Sequence, residues 1–437
     1  MSFALHLRRR SDFSEAVEYS GHSKSSVYLA PPGDEPQQRV RHSSGHGRNA
    51  TRAPRLTHIS SAAHSFPTTD SGAGGPHPIP NDIIKHQYAS DNILQYYEAY
   101  IPETNKLDAT SAKYWVIFIH GGYYRDPKVQ AGSFHRALAS LVSNPLYLHL
   151  RGSITGYASI NYRLSAHSDH PQDPEKTPDY EMHNAKHPDH IDDVIAGIAE
   201  LQRKYGFGSN YLVAGHSVGA TLAFQLALCQ QKSWQPPSNS SNTSTENAID
   251  PPSAILGLNG IYSFPALHES FPSYVGMTSG ALGSDPKIHA AVSPAAYPGS
   301  TYASTWTPKH GRRRIVILAS SPQDALVDHK QVEVMLEALN GASSSSEYSP
   351  DARSMSNATA FSDATTINPA TASNTLHRVA SDVGFEVQTL QLKGDHDHVW
   401  QTGEGLARAI ALVMGQVRRC EREECAGGGD ARDFGAA

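Results

Sequence analysis

The run Tyr211-Leu212-Val213-Ala214-Gly215-His216-Ser217-Val218-Gly219-Ala220 sets a serine between two glycines, directly after an apolar stretch. A GxSxG pattern in that context makes a sharp strand-to-helix turn that leaves the hydroxyl exposed above the sheet edge. The glycines remove side chains that would strike the neighbouring strand or helix. The helix expected next, Thr221 to Gln230, aims its N-terminus at the hydroxyl, and the Val218 N–H is placed to donate to an oxyanion. The chemistry this predicts is attack by Ser217 on a carbonyl. A Gly-Ser turn without chemistry is the plain alternative, but an apolar strand before it and small residues after it favour the nucleophile. His216 points elsewhere at such an elbow and reads as a packing or hydrogen-bonding residue. Cys229 reads as a small core side chain.

Upstream, Trp115-Val116-Ile117-Phe118-Ile119 runs into His120-Gly121-Gly122-Tyr123-Tyr124-Arg125-Asp126-Pro127. Two glycines after a buried strand offer backbone N–H groups with no Cβ in the way of a substrate. Gly121, Gly122 and Val218 are thus the expected oxyanion donors, with His120 bracing the loop rather than moving protons. A capped Gly-Gly turn is the bland reading, and the chain order of loop then elbow argues against it.

An acid and a base should follow the serine in that order, in loops after later strands. After Ile315-Val316-Ile317-Leu318-Ala319 stands Asp324, a few residues past the strand end. Asp328 is its rival, but it opens a helical pattern where an N-cap explains it. After the final apolar strand come Asp395-His396-Asp397-His398-Val399-Trp400. A loop histidine there would take the serine proton and pass it to the leaving group. Spacing does not separate His396 from His398. A metal reading of His-Asp-His lacks flanking ligands, and His187-Pro188-Asp189-His190-Ile191-Asp192-Asp193 reads as an acidic helix N-terminus. No metal or cofactor is expected.

Six apolar runs would carry these residues: Trp115–Ile119, Ala158–Asn161, Tyr211–Ala214, Ala254–Leu258, Ile315–Ala319 and Glu386–Leu392. Several are apolar throughout rather than alternating, as in a parallel sheet covered on both faces. Helical spacing links Ile191, Val194, Ile195, Ile198 and Leu201; then Val332, Met335, Leu336 and Leu339; then Leu406, Ile410 and Met414. Alternating strands and helices predict a doubly wound α/β sheet, mostly parallel, with helices on both faces.

The rest of the 437 residues reads as additions to one core. Residues 1–85 form an expected disordered leader, 234–252 and 341–374 polar low-complexity insertions, and 419–437 a flexible tail. That leaves a single α/β domain over 86–418 of roughly 280 residues without the insertions. The N-terminus lacks a secretory pattern, and Asp12 and Glu15 count against a mitochondrial leader, so a cytoplasmic location is expected. A net charge of −6 argues against a nucleic-acid partner, 3 cysteines exclude a disulfide scaffold, and no apolar run is long enough to span a membrane.

Taken together, these motifs resemble kynurenine formamidase, the arylformamidase of the α/β-hydrolase superfamily, and the fungal form above all. The likeness rests on His120–Pro127, Ser159-Ile160-Asn161-Tyr162-Arg163-Leu164-Ser165, His187–Asp192, Gly215–Ala220, Asp324-Ala325-Leu326-Val327 and His396–Trp400. It covers about residues 86 to 418. The resemblance implies hydrolysis of N-formyl-L-kynurenine to L-kynurenine and formate in tryptophan degradation toward NAD, by a triad of Ser217, Asp324 and His396. It favours His396 over His398 because the family's base directly precedes an Asp. Tyr124 stands where the family's HGGxW pattern has Trp, which keeps an aromatic face and adds a hydroxyl. Tyr123, Tyr124 and Trp400 are the aromatic walls expected around the substrate. A general carboxylesterase, or a non-catalytic scaffold on the same fold, are the alternatives, and homodimer formation is left open.

Overall fold

A computed structural model describes residues 77–103, 113–229, 249–306, 314–340, 377–379 and 385–427. Among these, one nine-stranded sheet runs through the molecule in the order β1-β2-β4-β3-β5-β6-β7-β9-β8. Its strands are β1 (Ile84–Gln87), β2 (Tyr96–Tyr100), β3 (Tyr114–Ile119), β4 (Ile154–Ile160), β5 (Tyr211–His216), β6 (Ala254–Leu258), β7 (Arg314–Ser320), β8 (His377–Val379) and β9 (Phe385–Gln391). β4, β3, β5, β6, β7 and β9 are parallel neighbours, while β1 and β2 at one edge and β8 at the other are antiparallel additions. The arrangement is that of an α/β-hydrolase.

Both faces of the central strands are buried, which is why their sequences lack alternation. In β3, Trp115, Ile117 and Ile119 face one core with α2 (Asp189–Tyr205), α3 (Val218–Leu228) and α8 (Lys330–Asn340). Tyr114, Val116 and Phe118 face the other, against α1 (His135–Ser143) and α10 (Glu404–Gly427). α4 (Phe264–Ser270), α5 (Val275–Leu282), α6 (Pro286–Ala291) and α7 (Gly299–Thr305) lie between β6 and β7 in the chain, and α9 (His398–Gln401) precedes α10.

All six expected strands are present, and the three expected helical patterns are α2, α8 and α10. β1, β2 and β8 were not expected: β1 is short and exposed, and edge strands of this kind carry no apolar run. Two expected boundaries also move. Ile249 is buried, and the Pro252 carbonyl accepts from Trp306 Nε1 at 2.7 Å, so the end of the 234–252 insertion belongs to the core. The tail expected from 419 instead begins inside α10, where Cys420 is buried. Residues 234–248 and 341–374 of the insertions, 428–437 of the tail and the leader up to 76 lie outside the described residues.

β3 is flanked by β4 on one side and β5 on the other, so the chain's winding reverses at β3. At such a reversal the carboxyl ends of neighbouring strands open a crevice. The loop after β3 and the elbow after β5 therefore meet.

Candidate active site

Ser217 follows β5 with φ 56° and ψ −123°, a backbone that only the geometry of the tight turn holds in place. Its carbonyl accepts from Ala220 N at 3.0 Å and its N–H donates to the Leu258 carbonyl at 3.0 Å, so strand, helix and the loop after β6 all hold the turn. The glycine after it is obligatory: a Cβ on Gly219 would lie 2.3 Å from the Ile119 carbonyl oxygen, at the end of β3.

The loop after β3 is fixed by its carbonyl groups. His120 Nδ1 donates to the Gly121 carbonyl at 3.0 Å, and the Tyr162 hydroxyl donates to the His120 and Gly121 carbonyls, each at 3.1 Å. The His120 and Tyr162 rings stack 4.3 Å apart at 6°. In a trans peptide the N–H points opposite to the preceding C=O, so anchoring these two carbonyls turns the Gly121 and Gly122 N–H groups the other way. Among the described residues, none accepts from the backbone N–H of Gly121, Gly122 or Val218. Gly121 also has no room for a side chain: its Cβ would lie 2.8 Å from His216 Nδ1 and 2.9 Å from Ser217 Cβ. Burial lowers the His120 imidazole to about 4, so it is neutral near pH 7 and suited to bracing.

Asp324, in the loop after β7, and His396, in the loop after β9, are joined by a hydrogen bond of 2.7 Å from Nδ1 to Oδ2. The other carboxylate oxygen, Oδ1, accepts from the Leu326 and Val327 N–H groups, both at 2.9 Å. One oxygen is thus held by backbone while the other is left to orient the imidazole. Asp328 makes no such contact. Its carbonyl accepts from Gln331 N at 3.2 Å, close to the start of α8. His398 opens α9 and is exposed, with its N–H on Asp395 Oδ1 at 2.9 Å.

His216, expected to be a packing or hydrogen-bonding residue, bonds the loop that carries the base. Its Nε2–H donates to the His396 carbonyl at 2.9 Å, and burial, with His396 alongside, lowers the ring to about 4. His216, His396 and Asp397 are the one group among the described residues that gathers three metal-type ligand atoms within 4.8 Å. His216 Nε2 is already spent on a carbonyl and His396 Nδ1 on Asp324, so the group reads as a hydrogen-bonded brace.

Of the three aromatic residues expected to wall a substrate, Tyr123 and Tyr124 lie edge to face with ring centroids 6.5 Å apart, while Trp400 lies elsewhere. Tyr123 lies against Tyr274 and Phe264, with ring centroids 5.5 and 6.5 Å away. Thr278 gives its proton to the Tyr274 carbonyl, so it can only accept from the Tyr123 hydroxyl, at 2.8 Å, and from His268 Nε2, at 2.7 Å. Tyr124 is buried beside α2, its ring 4.7 Å from that of His190. Trp400 packs against the opposite core, its indole N–H on Asp397 Oδ1 at 3.0 Å.

Over 320 residues the chain is 31% identical to a kynurenine formamidase-like hydrolase of Fusarium equiseti, covering 72% of this chain and 88% of that protein. The chain belongs to the kynurenine formamidase family. A kynurenine formamidase of Aspergillus versicolor is 34% identical over 275 residues, covering 58% of this chain and 85% of that one. No family model matches the chain. The fold is also similar to a solved structure of Thermogutta terrifontis esterase 2, at 13% identity and a TM-score of 0.45, covering 77% of this chain and 94% of that one. That likeness is too remote to bear on the reaction. Like other members of the kynurenine formamidase family, this protein is a hydrolase.

Proposed function

We propose that this hydrolase cleaves N-formyl-L-kynurenine to L-kynurenine and formate, as a step of tryptophan degradation toward NAD, through a serine nucleophile. The observation that carries the reading is the Asp324–His396 hydrogen bond beside the Ser217 elbow, in a chain of the kynurenine formamidase family.

In this reading Ser217 Oγ attacks the formyl carbon while His396 Nε2 takes its proton. Asp324 keeps Nδ1 protonated and stabilises the imidazolium that forms. The oxyanion accepts from the Gly121, Gly122 and Val218 N–H groups, each such donor being worth about 3 kcal/mol to the transition state. As the tetrahedral intermediate collapses, His396 gives the proton to the departing arylamine nitrogen and a formyl ester remains on Ser217. Water, deprotonated by the same histidine, then releases formate. An arylamine leaves more readily than an alkylamine, so no further electrophile is required. Tyr123 is the aromatic side chain beside the oxyanion donors, and its hydroxyl proton is committed to Thr278, which leaves its ring and an oxygen lone pair to the substrate.

Turnover of N-formyl-L-kynurenine against a nitrophenyl ester of similar size tests the reading. A kcat/KM for the formamide well above that for the ester is expected. Efficient cleavage of the ester with a negligible rate on the formamide overturns it in favour of a general carboxylesterase.

A further inference from the structure

One short loop touches two of the three proposed catalytic residues and the loop that carries the third. From the last residue of β6 the chain runs Leu258-Asn259-Gly260-Ile261. The Leu258 carbonyl accepts from Ser217 N at 3.0 Å, and Ile261 N donates to the Ser217 carbonyl at 3.3 Å. Asn259 reaches the loops that carry the other two members. Its Oδ1 accepts from Ser321 N at 2.9 Å, in the loop that carries Asp324. Its Nδ2 donates to the carbonyl of His396 itself at 2.9 Å. A backbone N–H on one side and a carbonyl on the other fix which way the amide lies.

Three further features show how tightly this arrangement is determined. Asn259 is buried and has φ 45°, a left-handed backbone that Asn tolerates better than most side chains, with its own N–H on the Ala319 carbonyl at 2.8 Å. His216 Nε2–H is a second donor to the same His396 carbonyl. The acid and base loops are also tied directly, by Ser321 Oγ to the Gly394 carbonyl and by Gly394 N to Gln323 Oε1 at 2.8 Å.

We propose that Asn259 is a positioning residue: its amide sets the separation of the Asp324 carboxylate and the His396 imidazole, and its loop sets both against the Ser217 elbow. A buried amide has a desolvation cost that an apolar residue of similar shape would avoid. Here both ends of that amide are spent on loops that hold the acid and the base. The inference rests on the triad reading above.

Two variants separate positioning from simple loop stapling. Asn259→Gly keeps the left-handed backbone accessible and removes the amide. Asn259→Asp keeps an acceptor for Ser321 N and removes the donor to His396. In both, kcat on N-formyl-L-kynurenine should fall about ten- to hundredfold, with KM within about threefold of the parent. In Asn259→Gly the acid limb of the kcat profile should move to lower pH, because a carboxylate held farther from an imidazole stabilises the imidazolium less. Proton NMR of the substrate-free protein should show the strongly deshielded Asp324-bound His396 proton lost or shifted upfield.

Unchanged kcat and an unchanged proton resonance in folded Asn259→Gly overturn the proposal. So does a kcat loss that follows a fall in melting temperature while the resonance and the acid limb stay put. If Asn259→Gly does not fold, Asn259→Asp carries the comparison of kcat and of the proton resonance. Ser217→Ala is the control: if it stays active the triad reading itself fails, whereas an inactive Ser217→Ala beside a normal Asn259→Gly removes only the positioning role.

Discussion

His396 and His398 stand two residues apart, and their surroundings divide the work between them. His396 is buried with its Nδ1 on Asp324, while His398 is exposed at the start of α9. In the proposed mechanism His396→Ala should lower kcat by several orders of magnitude, and His398→Ala by about tenfold or less, the scale of a change outside the reacting shell. Assaying both single variants on N-formyl-L-kynurenine checks this, and a dead His398→Ala beside a mild His396→Ala reverses the assignment. At this scale the residues legible in the sequence are those that glycine announces. Ser217 and the Gly121-Gly122 pair were marked because their neighbours cannot carry a Cβ, as the 2.3 Å approach to Gly219 illustrates. Tyr162 and Asn259 left no such mark. Asn259 joins partners 62 and 137 residues away, and a lone amide after a strand has no spacing to read.

Among the elements, the strands that carry the site were legible because a double-sided core demands continuous apolar runs, as in Tyr114–Ile119. The exposed strand β1 and the short helices between β6 and β7 bury too little, or too irregularly, to show a period. The C-terminal helix exposes a different weakness of the pattern. Past Met414 its sequence turns charged, yet Cys420 is buried, Arg419 pairs with Glu386 at 2.8 Å and Glu421 accepts from the Tyr114 hydroxyl at 2.6 Å. Side chains with charged ends can seal a sheet while looking like a solvated tail. Ending the chain at residue 418 should therefore cost about 1–3 kcal/mol of stability, from the lost Cys420 burial and the two polar contacts. Ending it after residue 427 should cost little. Denaturant unfolding of both truncations checks this, and equal midpoints sink it.

The whole molecule keeps several histidines neutral by burying them. Burial lowers His120 and His216 to about 4 and His190 to about 3, well below the ordinary imidazole value. Because the unfolded chain binds these protons more readily, stability is complete above the unfolded value of about 6.5. It then declines as pH falls toward the folded values, by up to about 1.4 kcal/mol per pH unit for each histidine. Melting temperature should drop steeply between about pH 6.5 and 4, and the fall should become shallower in His190→Gln, where Gln can keep a donor toward Ser165 Oγ. A flat melting curve across that range would count against buried neutral histidines as the cause.

The polarity of the sheet divides the molecule into a working end and a growing end. The loops that bear Gly121, Ser217, Asn259, Asp324 and His396 all leave the carboxyl ends of parallel strands. Segments 104–112, 230–248 and 307–313 instead lead into the amino ends of β3, β6 and β7. A lineage can lengthen those joints by drift without disturbing the catalytic geometry, and a protein engineer can use them as attachment points. Replacing 230–248 with a short Gly-Ser linker should leave kcat and KM on N-formyl-L-kynurenine within about twofold of the parent. A large loss of kcat in such a folded chimera would mean that the two ends of the sheet are not independent.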